Sequence, residues 1–249
     1  MEPNHGERPP YPSDETVIDQ LRRNVQRTPA AIALVVPEGD ADNRSRLELS
    51  YEEMWVTIGR VAQQIAAARL HGGSGHWVML VLPQGLQQVV AVWATLLSGC
   101  GYVPIDADTQ AARLRILFEE THPCLAIGEA PQPCQPRTQL AVVAEEFGVA
   151  LGTFVGGARA GLVVVGRATS HKAAPPSAKA PPSANEALQP RLDAPALLLF
   201  SSGSTGTPKG IVYDHAWLMG GSYFVGRDLG LSPRSRCLLR CSYVWSVSL

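Results

Sequence analysis

Residues 77–127, WVMLVLPQGLQQVVAVWATLLSGCGYVPIDADTQAARLRILFEETHPCLAI, alternate between short apolar runs and longer segments with helical spacing. The short runs are apolar throughout, as is typical of strands buried on both faces of a sheet: Trp77–Leu82, Gly101–Ile105 and Cys124–Ile127. The segments between them predict helices over Leu86–Leu97, with Val89, Val90, Trp93 and Leu97 facing inward, and over Thr109–Glu120. This alternation predicts βαβ units, and therefore an α/β fold with a mainly parallel sheet flanked by helices.

Another helix is predicted near the N-terminus, after about twelve residues that we expect to be disordered. Ser13 or Asp14 can cap this helix, and Pro29 ends it. Its apolar residues recur every four positions: Val17, Leu21 and Val25. Two short strands are predicted after it, over Ala31–Val36 and Leu47–Leu49.

The helix that follows has a clear start signal. Ser50 and, three residues later, Glu53 fit a capping box, in which each residue satisfies a backbone N–H of the other. An apolar stripe continues at helical spacing: Met54, Ile58, Val61 and Ile65. His71 and the two glycines after it are predicted to end the helix.

Composition and charge exclude several classes of protein. The 249 residues are 45% hydrophobic and carry a formal net charge of -1, so we expect a soluble globular protein that binds neither nucleic acid nor an anionic membrane. No apolar run reaches the roughly 18 residues of a membrane span, and the N-terminus lacks a secretory signal. We therefore expect a cytoplasmic protein. Its five cysteines form no Cys-x-x-Cys pair and are expected to be free thiols without a metal.

Residues 171–195 have a low-complexity sequence. Ala174–Lys179 and Ala180–Asn185 are near copies of each other, and six prolines lie between Pro175 and Pro195. This composition is typical of an extended linker. A spacer is favoured over an SH3 ligand, because paired prolines alone do not present Pro-x-x-Pro in a basic context.

The segment with the clearest chemistry follows a strand predicted over Ala196–Phe200. Residues 201–210 read SSGSTGTPKG. Small residues let the backbone approach phosphate oxygens closely, hydroxyls donate hydrogen bonds, and Lys209 adds a positive charge. The chain has two other lysines, Lys172 and Lys179, and both lie in the low-complexity segment. These features predict a polyphosphate-binding loop.

Two common glycine-rich loops do not fit the spacing. A Walker loop would place a glycine at position 208, where Pro208 stands, and a Ser or Thr at position 210, where Gly210 stands. Gly203 and Gly206 are three residues apart, which excludes the dinucleotide pattern Gly-x-Gly-x-x-Gly. A flexible Gly/Ser linker accounts for neither the lysine nor the buried strand before it.

Residues 201–210 closely resemble the phosphate loop of the adenylate-forming superfamily, Thr/Ser-Ser-Gly-Ser/Thr-Thr-Gly-x-Pro-Lys-Gly. Two other segments resemble the adenylation domains of non-ribosomal peptide synthetases. Leu49–Met54 is similar to Leu-Thr-Tyr-x-Glu-Leu, and Leu97–Asp106 is similar to a segment ending in Ala-Tyr-Val-Pro-Leu-Asp. The resemblance covers about residues 16–127 and 196–249. It implies that residues 13–249 form the N-terminal part of an AMP-binding adenylation domain, interrupted by the linker.

The resemblance also implies a reaction and a set of site residues. MgATP and a carboxylic or amino acid would form an acyl-adenylate and pyrophosphate, and the acyl group would pass to the phosphopantetheine thiol of a downstream carrier domain. An acyl-CoA synthetase, with CoA as acceptor, is the alternative enzyme. Lys209 would stabilise charge on the leaving pyrophosphate. The phosphate-binding residues would be Ser201, Ser202, Gly203, Ser204, Thr205, Gly206, Lys209 and Gly210.

Two residues beyond the loop are candidates for substrate binding. His215 matches a histidine that is frequent after the loop, although a helix-start or packing role also fits. Ser246 falls where the family has an aspartate that holds an α-amino group, which favours an acid without that group.

Several family segments do not occur in these 249 residues: Tyr-Gly-x-Thr-Glu, the Thr-Gly-Asp aspartate and the C-terminal lysine. We therefore expect a fragment that does not catalyse adenylation by itself. A non-catalytic nucleotide-binding remnant is the alternative.

Overall fold

The computed structural model describes residues 12–37, 46–72, 75–130, 137–155, 161–165, 190–201 and 209–238. The helices in these ranges are α1 (Val17–Arg27), α2 (Tyr51–Gly72), α3 (Leu86–Leu97), α4 (Ala111–Thr121), α5 (Gln139–Glu146) and α6 (His215–Asp228). The strands are β1 (Ile32–Pro37), β2 (Arg46–Ser50), β3 (Trp77–Val81), β4 (Gly101–Ile105), β5 (Leu125–Gly128), β6 (Ala150–Val155), β7 (Gly161–Val165), β8 (Pro195–Ser201) and β9 (Lys209–Asp214).

The main sheet has the strand order β7-β6-β5-β3-β4-β8-β9. The five inner strands are parallel, whereas β7 and β9 pair antiparallel with their neighbours at the two edges. A separate antiparallel pair joins β1 to β2. The α/β fold with a mainly parallel sheet is therefore confirmed.

Helices cover both faces of this sheet. On one face, α2 and α3 pack over a buried cluster that includes Ile58, Leu80 and Leu197. On the other face, α4 and α5 enclose a second cluster around Phe118 and Val143. The central strands are buried on both faces, as their continuous apolar runs predict.

The helix Leu86–Leu97 and the strand Gly101–Ile105 have the predicted bounds. The inward face predicted for α3 is confirmed for Val90 and Leu97, which are buried, and for Trp93, which is half-buried and packs against the core, whereas Val89 is only partly buried. Residues on other sides of the helix are buried as well, including Ala91 and Thr95. The reason is that α3 packs against α2 and α1 as well as against the sheet.

The caps at the starts of α1 and α2 test two predictions. The capping box of Ser50 and Glu53 is confirmed, with hydrogen bonds of 3.0 and 3.2 Å. The cap predicted for α1 at Ser13 or Asp14 is wrong, because Thr16 caps this helix. Thr16 and Asp19 form a reciprocal capping box, which satisfies both backbone donors.

Some elements were not predicted from the sequence: α5, β6, β7, β9 and most of α6. The predicted disordered N-terminus lies almost wholly outside the described residues. The predicted linker over 171–195 also lies outside them as far as residue 189, and Pro195 already opens β8.

Cys100, Cys124 and Cys237 are free thiols, as predicted. None of the helices within the described ranges is long and apolar enough to cross a lipid bilayer.

Candidate functional site

The predicted phosphate loop connects the two strands of a hairpin. β8 and β9 pair antiparallel, and Ser201 lies opposite Lys209 as their last pair. The Ser201 hydroxyl Oγ donates a hydrogen bond to the Lys209 carbonyl oxygen at 3.3 Å. The structure therefore brings together the first residue of the loop and its lysine, which are eight positions apart in the sequence.

The remaining loop residues connect these two ends and lie outside the described residues: Ser202, Gly203, Ser204, Thr205 and Gly206. Their phosphate-binding role stays a prediction. So does the role of Ser246, which also lies outside the described ranges.

The hairpin is fixed in position by the burial of β8. Ala196 and Leu197 are fully buried, and Leu197 pairs with Tyr102 of β4. Because β8 runs parallel to β4, Ser201 lies at the edge of the sheet where the inner parallel strands have their carboxyl ends. Ligands of open α/β sheets bind at this edge.

Gly210 has a packing reason to be a glycine. A Cβ atom at this position would lie 2.9 Å from Leu198 Cδ1 and 3.4 Å from Phe200 Cε1. A side chain at position 210 would therefore require the Leu198 side chain to shift. Lys209, by contrast, is exposed at the first residue of β9, where its ammonium group can reach an anion.

His215 is buried at the first turn of α6, with 1% of its surface exposed. Its backbone N–H donates to the Ala194 carbonyl at 3.2 Å, and Asp214 caps the helix through the Trp217 N–H at 2.7 Å. Burial lowers the pKa of His215 to about 4, although the Asp214 and Asp19 carboxylates oppose this shift. The imidazole is therefore neutral near pH 7.

This position fits the helix-start and packing role of His215. The ring atom Nδ1 is buried without a hydrogen-bond partner in the described structure. Contact between His215 and a substrate stays a prediction.

A cavity of about 260 Å³ at the same edge was not found from the sequence. It lies where β3 and β5 end. The chain leaves β3 towards β4 and leaves β5 towards β6, in opposite directions along the sheet, so the cavity is at the switch point of the sheet. Its lining includes Val81, Asp108, Gly128, Glu129 and Gln139. The sequence does carry a signal for this cavity, because acidic and hydroxyl residues of its lining follow closely after two predicted strands: Asp108, Thr109 and Glu129.

Metal ligands are a separate question. Within the described ranges, no three His, Cys, Asp or Glu side chains are grouped so as to hold a metal ion.

Comparison with known proteins identifies the family. The family model described as AMP-binding enzyme matches residues 21–249. Phenyloxazoline synthase MbtB of Mycolicibacterium paratuberculosis is 30% identical over 229 residues, which are 91% of this chain and 16% of that protein. Pyochelin synthetase PchE of Pseudomonas aeruginosa is 33% identical over 191 residues, or 74% of this chain and 10% of that protein.

Solved structures share the fold at low sequence identity. The non-ribosomal peptide synthetase FmoA3, solved with AMPPNP bound, superposes with a TM-score of 0.65 at 21% identity and covers 98% of this chain and 22% of that one. VinN, solved with L-aspartate, gives a TM-score of 0.67 at 18% identity and covers 95% of this chain and 53% of that one. The chain thus spans a minor part of the synthetases and about half of VinN. It belongs to the AMP-binding enzyme family of adenylate-forming ligases and is similar to the N-terminal part of a non-ribosomal peptide synthetase adenylation domain.

Proposed function

We propose that this chain carries the phosphate-binding half of an enzyme that activates a carboxylic or amino acid with ATP. The observation that carries the proposal is the hairpin that places Ser201 beside Lys209 at the carboxyl edge of the parallel strands. The positively charged Lys209 and the Ser201 hydroxyl then lie where an open α/β sheet binds its ligand, and the glycine-rich segment between them has the composition of a phosphate-binding loop.

The residues of this hairpin fit a polyphosphate. Gly210 lies against the Leu198 and Phe200 side chains of β8, directly after Lys209. Lys209 would bind the β- and γ-phosphates together with the Ser, Thr and Gly residues of positions 201–206. Mg²⁺, when bound, would neutralise phosphate charge.

The proposed reaction is attack of a substrate carboxylate oxygen on the α-phosphorus of ATP. The bond to the pyrophosphate oxygen breaks, and the products are an acyl-adenylate and pyrophosphate. Negative charge grows on the leaving pyrophosphate in the transition state, and the Lys209 ammonium would stabilise it there more than in the ground state. Lys209 thus assists by charge and forms no covalent intermediate.

We further propose that the acyl group passes to a phosphopantetheine thiol on a carrier domain. The similarity to peptide synthetases such as MbtB and PchE supports this acceptor. CoA is the second candidate, because a structure described as a putative long-chain-fatty-acid CoA ligase also shares the fold, with a TM-score of 0.65. Because the reaction consumes ATP, the cytoplasm is the proposed location.

The complete reaction needs more of the domain than this chain supplies. The chain spans 16% of MbtB and about half of VinN, and the adenine and ribose segments of the family are absent from its sequence. We propose that it does not adenylate an acid by itself. Ser246 further suggests a substrate without an α-ammonium group.

The test is exchange of labelled pyrophosphate into ATP, measured on a protein in which this chain is joined to the rest of its adenylation domain. We expect exchange that depends on an added carboxylic acid and that Lys209→Ala abolishes. The chain alone should show none. The proposed chemistry is wrong if no acid of a broad panel supports exchange by the complete domain.

A further inference from the structure

Two buried cysteines lie on the same face of the main sheet, at the edge where its inner parallel strands begin. Cys100 directly precedes β4 and Cys124 directly precedes β5, and both belong to the buried cluster under α2 and α3. They are 0% and 2% exposed. The Ser201–Lys209 hairpin lies at the opposite edge of the sheet, so neither thiol belongs to the proposed phosphate site.

The backbone at the start of β3 passes between the two cysteines. The His76 carbonyl oxygen accepts the Gly101 N–H on one side, and the Trp77 carbonyl oxygen accepts the Cys124 N–H on the other, both at 2.9 Å. The Cα atoms of Cys100 and Cys124 are therefore two strand spacings apart, or about 9.6 Å. A disulfide needs Cα atoms within about 7 Å of each other. The pair cannot form a disulfide unless β3 moves.

The two side chains nevertheless meet above this strand. The Cys124 thiol has two acceptors within reach, the Trp77 carbonyl oxygen at 3.3 Å and the Cys100 sulfur. The hydrogen bond from Cys124 lowers the pKa of Cys100 to about 6, although burial opposes this shift. The same interaction raises the pKa of Cys124. The two sulfur atoms are thus close enough to share one small ligand, while the backbones that carry them stay apart.

A positive charge accompanies this pair of thiols. Arg69 of α2 interacts with Cys100 by its charge and by a hydrogen bond. Its Nη2 atom lies 3.3 Å from Nδ1 of His76, and His76 is exposed. Arg69 therefore reaches from the buried thiols to the surface, and a small ion can enter along its side chain.

The number of ligands and the charge decide which ion fits. Thiolate sulfur is a soft ligand that favours Cu(I), Zn²⁺ and iron–sulfur clusters. Zn²⁺ takes four protein ligands in structural sites, and in the part of the chain that the structure describes no third His, Cys, Asp or Glu joins the pair. Cu(I) is saturated by two thiolates in a near-linear arrangement. That complex carries one negative charge, which the Arg69 guanidinium offsets, as a buried charge requires.

We propose that Cys100 and Cys124 form a binding site for one Cu(I) ion, which bridges the two sulfur atoms across the start of β3. The thiol protons pass to solvent on binding, and no electron is transferred. The bound ion links the starts of β4 and β5 beneath α2. This site does not depend on the proposed function, because it lies at the other edge of the sheet.

The test is anaerobic titration of the 249-residue chain with Cu(I), in competition with the chromogenic chelator bathocuproine disulfonate. Three further cysteines can also bind copper, so the titration uses a triple variant: Cys134→Ser, Cys237→Ser and Cys241→Ser. This variant should bind one Cu(I) per chain. Cys100→Ala or Cys124→Ala, added to it, should abolish binding. X-ray absorption of the copper should show two sulfur ligands and no nitrogen.

Arg69→Leu tests the counter-charge without removing a ligand. It should weaken Cu(I) binding roughly 10- to 100-fold, the range found when a residue that supports metal ligands is replaced. The matched control is Arg60→Leu, which removes an exposed arginine from the same helix and should change the affinity less than twofold. Circular dichroism of each variant checks that it is folded, and Arg69→Leu keeps the proposal testable if a cysteine variant does not fold.

Several results would overturn the proposal. They are failure of the triple variant to take Cu(I) from the chelator, binding that survives Cys100→Ala, a histidine nitrogen among the copper ligands, and equal effects of Arg69→Leu and Arg60→Leu. Lys209→Ala should leave Cu(I) binding unchanged. Failure of this site and failure of the proposed function are therefore told apart by separate measurements.

Discussion

Lys209 is the residue on which the proposed nucleotide site depends most. We expect Lys209→Ala to weaken binding of MgATP to this chain roughly 10- to 100-fold, because a hydrogen bond to a charged group contributes about 1.5–3 kcal/mol. Titration calorimetry measures this change. The matched control is Lys172→Ala, which removes an equal charge from the low-complexity segment. Equal affinities of the two variants would contradict the assignment.

His215 should make the stability of the fold depend on pH. Burial lowers its pKa from 6.5 to about 4, so the unfolded chain binds a proton at a higher pH than the folded one. The stabilisation is present above pH 6.5 and is lost progressively as the pH falls towards 4. The full loss is on the order of 3 kcal/mol.

Urea unfolding between pH 7 and 4 measures this dependence. His215→Leu should flatten the part of the curve below pH 6.5, because this variant has no buried imidazole to protonate there. A wild-type curve that stays level down to pH 4.5 would contradict the prediction.

At the scale of elements, the N-terminal cap of α1 can be tested by mutation. The sequence predicts a cap at Ser13 or Asp14, whereas the structure shows Thr16 as the cap. Thr16→Ala should lower the free energy of unfolding by about 1 kcal/mol, because it removes the side chain that accepts the Asp19 N–H. Ser13→Ala should change it by less than about 0.5 kcal/mol, as for an exposed surface position. Chemical denaturation of both variants makes the comparison, and a larger loss for Ser13→Ala would favour the sequence-based cap.

Gly101 tests the packing of β4 between its neighbours. A Cβ at this position would meet the Trp77 ring and lie 3.0 Å from the Pro195 carbonyl oxygen. Gly101→Ala should therefore cost about 1–3 kcal/mol through overpacking. Gly226→Ala is the control, since its Cβ meets nothing within 4 Å in helix α6, and it should stabilise the fold by up to about 1 kcal/mol. Thermal unfolding of both proteins measures these changes. If Gly101→Ala did not change the stability, the Trp77 ring would have to move aside at little cost.

The elements that sequence reasoning predicted well share strong local signals. α3 begins after Pro83 and Gly85 and ends just before Gly99, and β4 begins at Gly101. The bounds of both elements therefore follow from residues close to their ends. α6 was missed apart from its start, because Gly220, Gly221 and Gly226 lower helix propensity. α5 has only eight residues, too few for a clear period.

The candidate site likewise has one part that the sequence predicts and another that only the fold shows. The residue types of the loop indicate phosphate chemistry, and they are visible in the sequence. The position of Ser201 opposite Lys209 depends on the pairing of β8 with β9, and the cavity at the switch point depends on the parallel pairing of β3 with β5. These are contacts between segments that local periodicity does not report.

At the scale of the whole molecule, the connection between β7 and β8 is much longer than the fold requires. The end of β7 and the start of β8 lie at the same edge of the sheet, five strand spacings apart, or about 24 Å at ~4.8 Å per spacing. About eight extended residues span that distance, whereas residues 166–194 connect the two strands. We therefore propose that the repeats within 171–195 act as a spacer.

Deleting Ala174–Asn185 tests this proposal, because the remaining residues still exceed the required span more than twofold. A shorter loop loses less entropy on closure, so the free energy of unfolding should rise by about 0.5 kcal/mol, and MgATP affinity should not change. Replacing the same twelve residues with a Gly-Ser sequence of equal length is the control and should match the wild type. Urea unfolding measures all three proteins. A loss above about 1 kcal/mol in both altered proteins would show that the repeats pack against the fold, since neither loop length nor chain connectivity could then account for the change.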